Sequence, residues 1–156
     1  KKYGKIAYIM YGLKQLRNKI NTYDIKYKVD GKEYIGNFAY IFITNTSRVA
    51  GMNDIYCDDI KLNDGMFEVA LIPLKTKKDM LKAFFELSKY SLKNISNVTY
   101  YQTDNFEMEF IDPPKVSWCI DGEEYKTPKL SFKFSVTNKM KMLLPKMNIK
   151  RLFEEE

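Results

Sequence analysis

The sequence predicts a mainly β domain of the α+β kind: a β-sandwich-like body with attached helices. Three observations carry that expectation. Six or more segments alternate polar with apolar residues, or run apolar, over strand length. Turn-forming Asp-Gly and Pro-Pro pairs punctuate them. Only one or two stretches repeat their apolar residues at helical spacing, with no regular strand–helix alternation of the kind that builds a parallel sheet.

Taken in order, Ile6, Ile9, Met10, Leu13, Leu16 and Ile20 recur every three or four residues and predict a first helix, widened by Tyr8 and Tyr11. Tyr23, Ile25, Tyr27 and Val29 then alternate, Asp30-Gly31 supplies a two-residue turn, and Glu33 to Asn37 returns as a hairpin. Phe38 to Thr44 is nearly continuous in apolar residues, as expected of a strand buried on both faces. A polar loop spans Asn45 to Asp59, and Asn63-Asp64-Gly65 leads into an apolar strand from Met66 to Leu74.

Thr76 and Asp79 stand at capping-box spacing before a helix expected to reach about Leu92. Its apolar stripe is Met80, Leu81, Phe84, Phe85 and Leu87, with Lys82 and Glu86 at pairing distance on the far side. Strands are expected at Val98 to Gln102, Asn105 to Ile111, Lys115 to Ile120 and Leu130 to Val136. Asp121-Gly122 is read as a turn, and Pro145 as the close of the domain. At 156 residues the chain corresponds to one domain, residues 1–156, large enough for a single core. Its 45% hydrophobic and 15% aromatic content suits a folded globule. It opens on Lys1 without an initiator Met, which predicts a piece of a longer polypeptide.

Several chemistries are excluded by composition. With no histidine, the chain holds no Ser-His-Asp or Cys-His catalytic set and no His-ligated zinc, so a general base here is a carboxylate before it is a Lys, Tyr or Cys. Cys57 and Cys119 match no metal spacing and form no disulfide framework, which fits a reduced cytoplasmic setting. No apolar stretch approaches the roughly 20 residues that span a bilayer, and no signal peptide is expected, so a lipid partner would be met from the membrane surface. The net charge of +6 suits phosphates, anionic head groups or nucleic acid, but the lysines are spread along the chain as a solvated surface would have them. No basic-aromatic strand motif of the RNA-binding type occurs, and nucleic acid is not expected as a partner.

Three motifs could carry chemistry. Asp121-Gly122-Glu123 reads either as a hairpin with Glu123 in solvent or as a turn presenting Glu123 as a general base for a substrate hydroxyl. Lys61-Leu62-Asn63-Asp64-Gly65-Met66 reads either as a plain turn or as an oxygen-ligand site for Mg²⁺, with Asp64 and neighbouring carbonyls. The loop Asn45 to Asn53, with Arg48 and Gly51, could hold a phosphate through backbone N–H groups, although it matches no Walker or dinucleotide motif.

In this order, the motifs resemble the C-terminal domain of the bacterial diacylglycerol kinase, sphingosine kinase and related lipid kinase family. The series runs through Gly4-Lys5-Ile6-Ala7-Tyr8, Phe42-Ile43-Thr44-Asn45, the glycine-bearing loop, Leu62-Asn63-Asp64-Gly65, the amphipathic helix, Asp121-Gly122-Glu123 and Leu143-Leu144-Pro145. The resemblance implies that Glu123 accepts the proton of a lipid hydroxyl, with Asp121, Gly122, Asn45 and Gly51 bordering the substrate cleft. It implies that Asp64 holds a structural Mg²⁺ with the main-chain oxygens of Lys61 and Met66. A glycine pair is usual in the family's loop, where this chain has Gly51-Met52. The family's Gly-Gly-Asp-Gly-Thr ATP-binding motif belongs to an N-terminal domain, and the sequence contains no such motif, so this chain alone is expected not to transfer phosphate.

The function expected from the resemblance is ATP-dependent phosphorylation of diacylglycerol or a similar lipid alcohol. ATP would be bound mainly by the N-terminal nucleotide domain, which is also the expected partner. The protein is expected in the cytoplasm, peripheral to the membrane, and an exposed strand edge could pair two copies. The alternative is a non-catalytic lipid- or protein-binding β-sandwich module.

Overall fold

The computed structural model describes residues 19–46, 48–49, 52–53, 60–87 and 91–137. The helix expected from Ile6 lies outside these residues except at its end, where Lys19 and Ile20 are not helical. The strand expected near Lys115 begins later, at Trp118, and the close at Pro145 also lies outside.

The body is two antiparallel sheets facing each other across one core. The first holds β1 (Tyr23–Val29), β2 (Lys32–Phe38), β8 (Asn105–Phe110) and β11 (Ser131–Ser135), in the order β11-β8-β1-β2. The second holds β3 (Tyr40–Thr44), β6 (Phe67–Ile72) and β7 (Thr99–Thr103), in the order β3-β6-β7. Two short ribbons complete the strands: β4 (Arg48–Val49) with β5 (Met52–Asn53), and β9 (Trp118–Ile120) with β10 (Glu123–Tyr125).

Period-two patterning explains the core. Ile25, Tyr27 and Val29 of β1 and Phe106, Met108 and Phe110 of β8 point inward against Phe67, Val69 and Leu71 of β6. Fully burying one such side chain is worth about 1.5–3 kcal/mol. The outward residues form a charge checkerboard: Lys28 lies across from Glu33 and Glu107, and Lys133 meets Glu107 at 2.7 Å. That face is built for water.

The turn between β1 and β2 places Asp30 and Gly31 at φ 49° and 76°, the left-handed pair that a tight two-residue hairpin requires. The chain then breaks at Ala39, whose N–H donates to Ile72 O at 2.8 Å, and crosses to the second sheet. The expected single strand from Phe38 to Thr44 is therefore split. Its second part, β3, is a sheet edge with Tyr40 44% and Phe42 36% exposed, not a strand buried on both faces. The strand buried on both faces is β6, the middle of three.

Behind β6 lies a second core of Ala39, Ile60, Ala70, Ile72, Leu74, Met80, Leu92 and Ile95. Helix α1 (Lys77–Leu87) covers it through Met80, and a 3-10 turn at Leu92–Asn94 follows. The capping box forms as expected: Asp79 N–H donates to Thr76 Oγ1 at 3.1 Å, and Thr76 N–H donates to Asp79 Oδ2 at 2.8 Å. Lys82 and Glu86 pair at 3.5 Å. Leu81 and Phe85, expected in the apolar stripe, are instead 39% and 65% exposed, because the buried side of the helix is narrower than its apolar band.

Candidate functional site

Glu123 is the first residue of β10, directly after the Asp121-Gly122 turn. Asp121 and Gly122 take φ 50° and 92°, which an Asp-Gly pair adopts at low cost and most other pairs do not. The register sets Glu123 opposite Ile120 and Tyr125 opposite Trp118. Trp118 ties the ribbon to the main body, its ring centroid 5.1 Å from Phe132 and 6.1 Å from Phe110. Glu124, the next residue, takes a hydrogen bond from Ser117 Oγ at 2.9 Å and an ion pair from Lys126 at 3.4 Å. Glu123 stands exposed on the other side of the ribbon. Ionised, such a carboxylate can accept a proton from a hydroxyl brought to it.

The second group gathers at one end of the β3-β6-β7 sheet. Asn45 follows the last residue of β3, exposed, and the β3–β6 register puts Thr44 beside Glu68. Lys61 is half-buried ahead of the bend Leu62 to Gly65, which enters β6 through Met66. Asp64 locks this bend: its Oδ1 accepts Met66 N–H at 2.9 Å and its Oδ2 accepts Gln102 Nε2 at 3.1 Å. Gln102 comes from β7, so the carboxylate is held by both its own loop and a neighbouring strand. A carboxylate offers about four lone-pair sites, so acceptor capacity remains for a cation.

Sequence reasoning passed over Glu68, the one acid inside the β6 run. It is 0% exposed, and neither carboxylate oxygen has a hydrogen-bond partner among the described residues. Burial, followed by the charge of Asp64, pushes its carboxyl up to about 7. Glu68 is the cross-strand partner of Gln102, the residue that grips Asp64. The signal in the sequence was a lone Glu in a strand otherwise buried on both faces, a placement that costs several kcal/mol unless something compensates it.

The structure thus brings Asn45, Lys61, Asp64 and Met66 to one sheet end and sets Asp121, Gly122 and Glu123 on a separate ribbon. Gly51 lies outside the described residues. A broad open hollow of about 810 Å³ lies over the four-stranded sheet, against Lys26, Lys28, Glu33, Ile35, Glu107 and Lys133. None of the expected site residues lines it, and its charges face one another across strands, so it is the solvated sheet face. No helix among the described residues is long and apolar enough to cross a membrane.

No protein-family model matches the chain. Among curated proteins it is 25% identical over 124 residues to the diacylglycerol kinase of Bacillus subtilis strain 168, covering 77% of this chain and 38% of that protein. It is 26% identical over 144 residues to a protein of Alcanivorax borkumensis named as a YegS-like lipid kinase, covering 91% of this chain and 46% of that protein. The chain therefore spans less than half the length of these relatives. Two solved structures of Bacillus anthracis strain Sterne proteins assigned as diacylglycerol kinases share the fold. They give TM-scores of 0.58 and 0.59 at 15% identity, over 82% and 79% of this chain and 46% and 41% of theirs. The homologues and structural neighbours are thus bacterial diacylglycerol and YegS-like lipid kinases, matched over most of this chain.

Proposed function

We propose that this chain, a relative of the bacterial diacylglycerol kinases and YegS-like lipid kinases, is the C-terminal, lipid-facing domain of an ATP-dependent lipid kinase. The observation that carries the reading is the pairing of that similarity with the ribbon geometry. The Asp121-Gly122 turn has the left-handed backbone that exposes the carboxylate following it. In the proposed reaction the Glu123 carboxylate takes the proton of a lipid hydroxyl as its oxygen bonds to the γ-phosphorus of ATP. The bond from that phosphorus to the β-bridging oxygen breaks, and its electron pair leaves with ADP. The substrate is diacylglycerol or a similar lipid alcohol, met at the membrane surface, and ATP is brought by an N-terminal nucleotide-binding domain.

Asp64 fits a divalent cation. Its carboxylate is fixed in place by two hydrogen bonds, sits in the bend between Lys61 and Met66, and has the buried carboxylate of Glu68 nearby. Bound there, Mg²⁺ would supply positive charge that fixes the bend and tunes the field of the cleft. The chain's own residues hold the site's shape through Gln102 and the Met66 N–H.

The test is ATP-dependent phosphorylation of diacylglycerol in mixed micelles by the full-length polypeptide, wild type beside Glu123→Gln. Loss of about 10²–10⁴ in kcat is expected, the scale of a missing general base. An unchanged rate removes Glu123 from the mechanism. Failure of the wild type to bind ATP transfers the protein to the class of non-catalytic binding modules.

A further inference from the structure

Among the described residues, Glu68 is a buried carboxylate whose cost nothing offsets. An apolar residue would suit the second position of β6, as Val69, Ala70 and Leu71 further along show, all at 0% exposure. Instead a carboxylate is buried there with both oxygens unpartnered. Native proteins rarely leave such a group unsatisfied, and an uncompensated one points to an ion or water that completes it. Position suggests which. Odd-numbered residues of β6 face the inter-sheet core, and Ala70 and Ile72 face the core beneath helix α1, so Glu68 is on the α1 side at the strand's first turn inward. The charge of Asp64 acts on it. Its cross-strand partner, Gln102, donates to Asp64 Oδ2 at 3.1 Å. One N–H of the amide goes to Asp64, and no donor among the described residues reaches either oxygen of Glu68.

We propose that Glu68 is part of the cation site at Asp64, its buried carboxylate completing the charge and accepting hydrogen bonds from water on a bound divalent ion. The inference rests on the reading of Asp64 as a cation ligand. Mg²⁺ keeps several waters when protein-bound, and those waters are donors of the kind Glu68 lacks. Two carboxylates balance a divalent ion, whereas Asp64 alone would leave it with excess charge beside an apolar core. Gln102 is the positioning residue: it holds Asp64 at the spacing that lets both carboxylates serve one ion.

The experiment measures Mg²⁺ and Mn²⁺ binding to the full chain by titration calorimetry, and the melting temperature in chelator and in excess Mg²⁺. Wild type is compared with Glu68→Gln, Asp64→Asn and the surface control Glu107→Gln. Wild type should bind and melt higher with Mg²⁺. Glu68→Gln should bind about 10–100-fold more weakly, the usual cost of losing a group that supports a metal's ligands. In chelator it should melt at or above wild type, because a neutral amide replaces an unpartnered buried charge, and it should gain less from Mg²⁺. Glu107→Gln should match wild type in metal affinity and in the rise of melting temperature with Mg²⁺.

Wild-type affinity in Glu68→Gln, with Asp64→Asn weakened, overturns the role of Glu68 and leaves the cation site standing. Undiminished affinity in Asp64→Asn, or no saturable binding by wild type, overturns the site and this inference with it. A Glu68→Gln chain that melts well below wild type in chelator shows that the fold itself uses the carboxylate, and also overturns the inference.

Discussion

Gly36 lies opposite Ile25 in the β1–β2 register, and the ring of Phe38 covers the space its side chain would take. A Cβ built there would meet Cε2 and Cζ of Phe38 at 2.5 Å. Two effects compete in Gly36→Ala. Removing a glycine from a strand gains roughly 0.5–1 kcal/mol of chain entropy. Displacing a buried ring that also meets Tyr27 edge-on at 5.9 Å costs about 1–3 kcal/mol, as overpacking does. The second should win, so urea unfolding should show Gly36→Ala less stable than wild type. A gain would mean that the Phe38 ring can swing aside freely. The same close reading applies to Glu68 and Glu123, two carboxylates set apart by environment: one enclosed and unpartnered, the other exposed at the end of a left-handed turn.

At the scale of one element, helix α1 is fastened at its start. Thr76 caps it through Oγ1, and Asp79 in turn accepts hydrogen bonds from the N–H groups of Thr76 and Lys75. Thr76→Ala should cost about 0.5–2 kcal/mol of stability, read by chemical denaturation. The Thr76 hydroxyl and N–H hold the Asp79 carboxyl below its ordinary value. A carboxyl lower in the folded than in the unfolded state contributes stability that is present above the ordinary carboxylate range and lost as pH falls through its folded value. Protection of the first-turn amides of α1, taken relative to the intrinsic exchange rate at each pH, should therefore fall on acidification, and Asp79→Asn should flatten that dependence. This cap was legible in the sequence because its chemistry is local, four residues end to end. The exposure of Phe85 was not legible, since helical periodicity marks an apolar band without saying how wide a surface awaits it. Nor was the edge position of β3: an apolar run predicts a strand, while its rank in a sheet depends on β6 and β7 more than twenty residues further on.

Over the whole molecule, alternation in β1, β8 and β11 was enough to foresee two sheets around one core, because period two fixes an inward face wherever one side is apolar. The site was only half legible. Asp64 and the Asp121-Gly122-Glu123 turn announce themselves in short motifs, but Gln102 reaches Asp64 across 38 residues of sequence, and Glu68 becomes conspicuous only once β3 and β7 bury it. The relatives matched here are more than twice the length of the matched region, which covers 38% and 46% of them. Phosphoryl transfer is mostly positioning and charge stabilisation around the nucleotide, so the proposed base and cation site would supply only part of it. We therefore expect the 156-residue chain alone, given ATP, Mg²⁺ and diacylglycerol micelles, to produce no phosphorylated lipid. Adding a nucleotide-binding domain in the same polypeptide should restore turnover, and Glu123→Gln should abolish that restored rate. Phosphorylated lipid from the chain alone would instead place a nucleotide site within these 156 residues and send the search for it to the sheet end that holds Asn45 and Asp64.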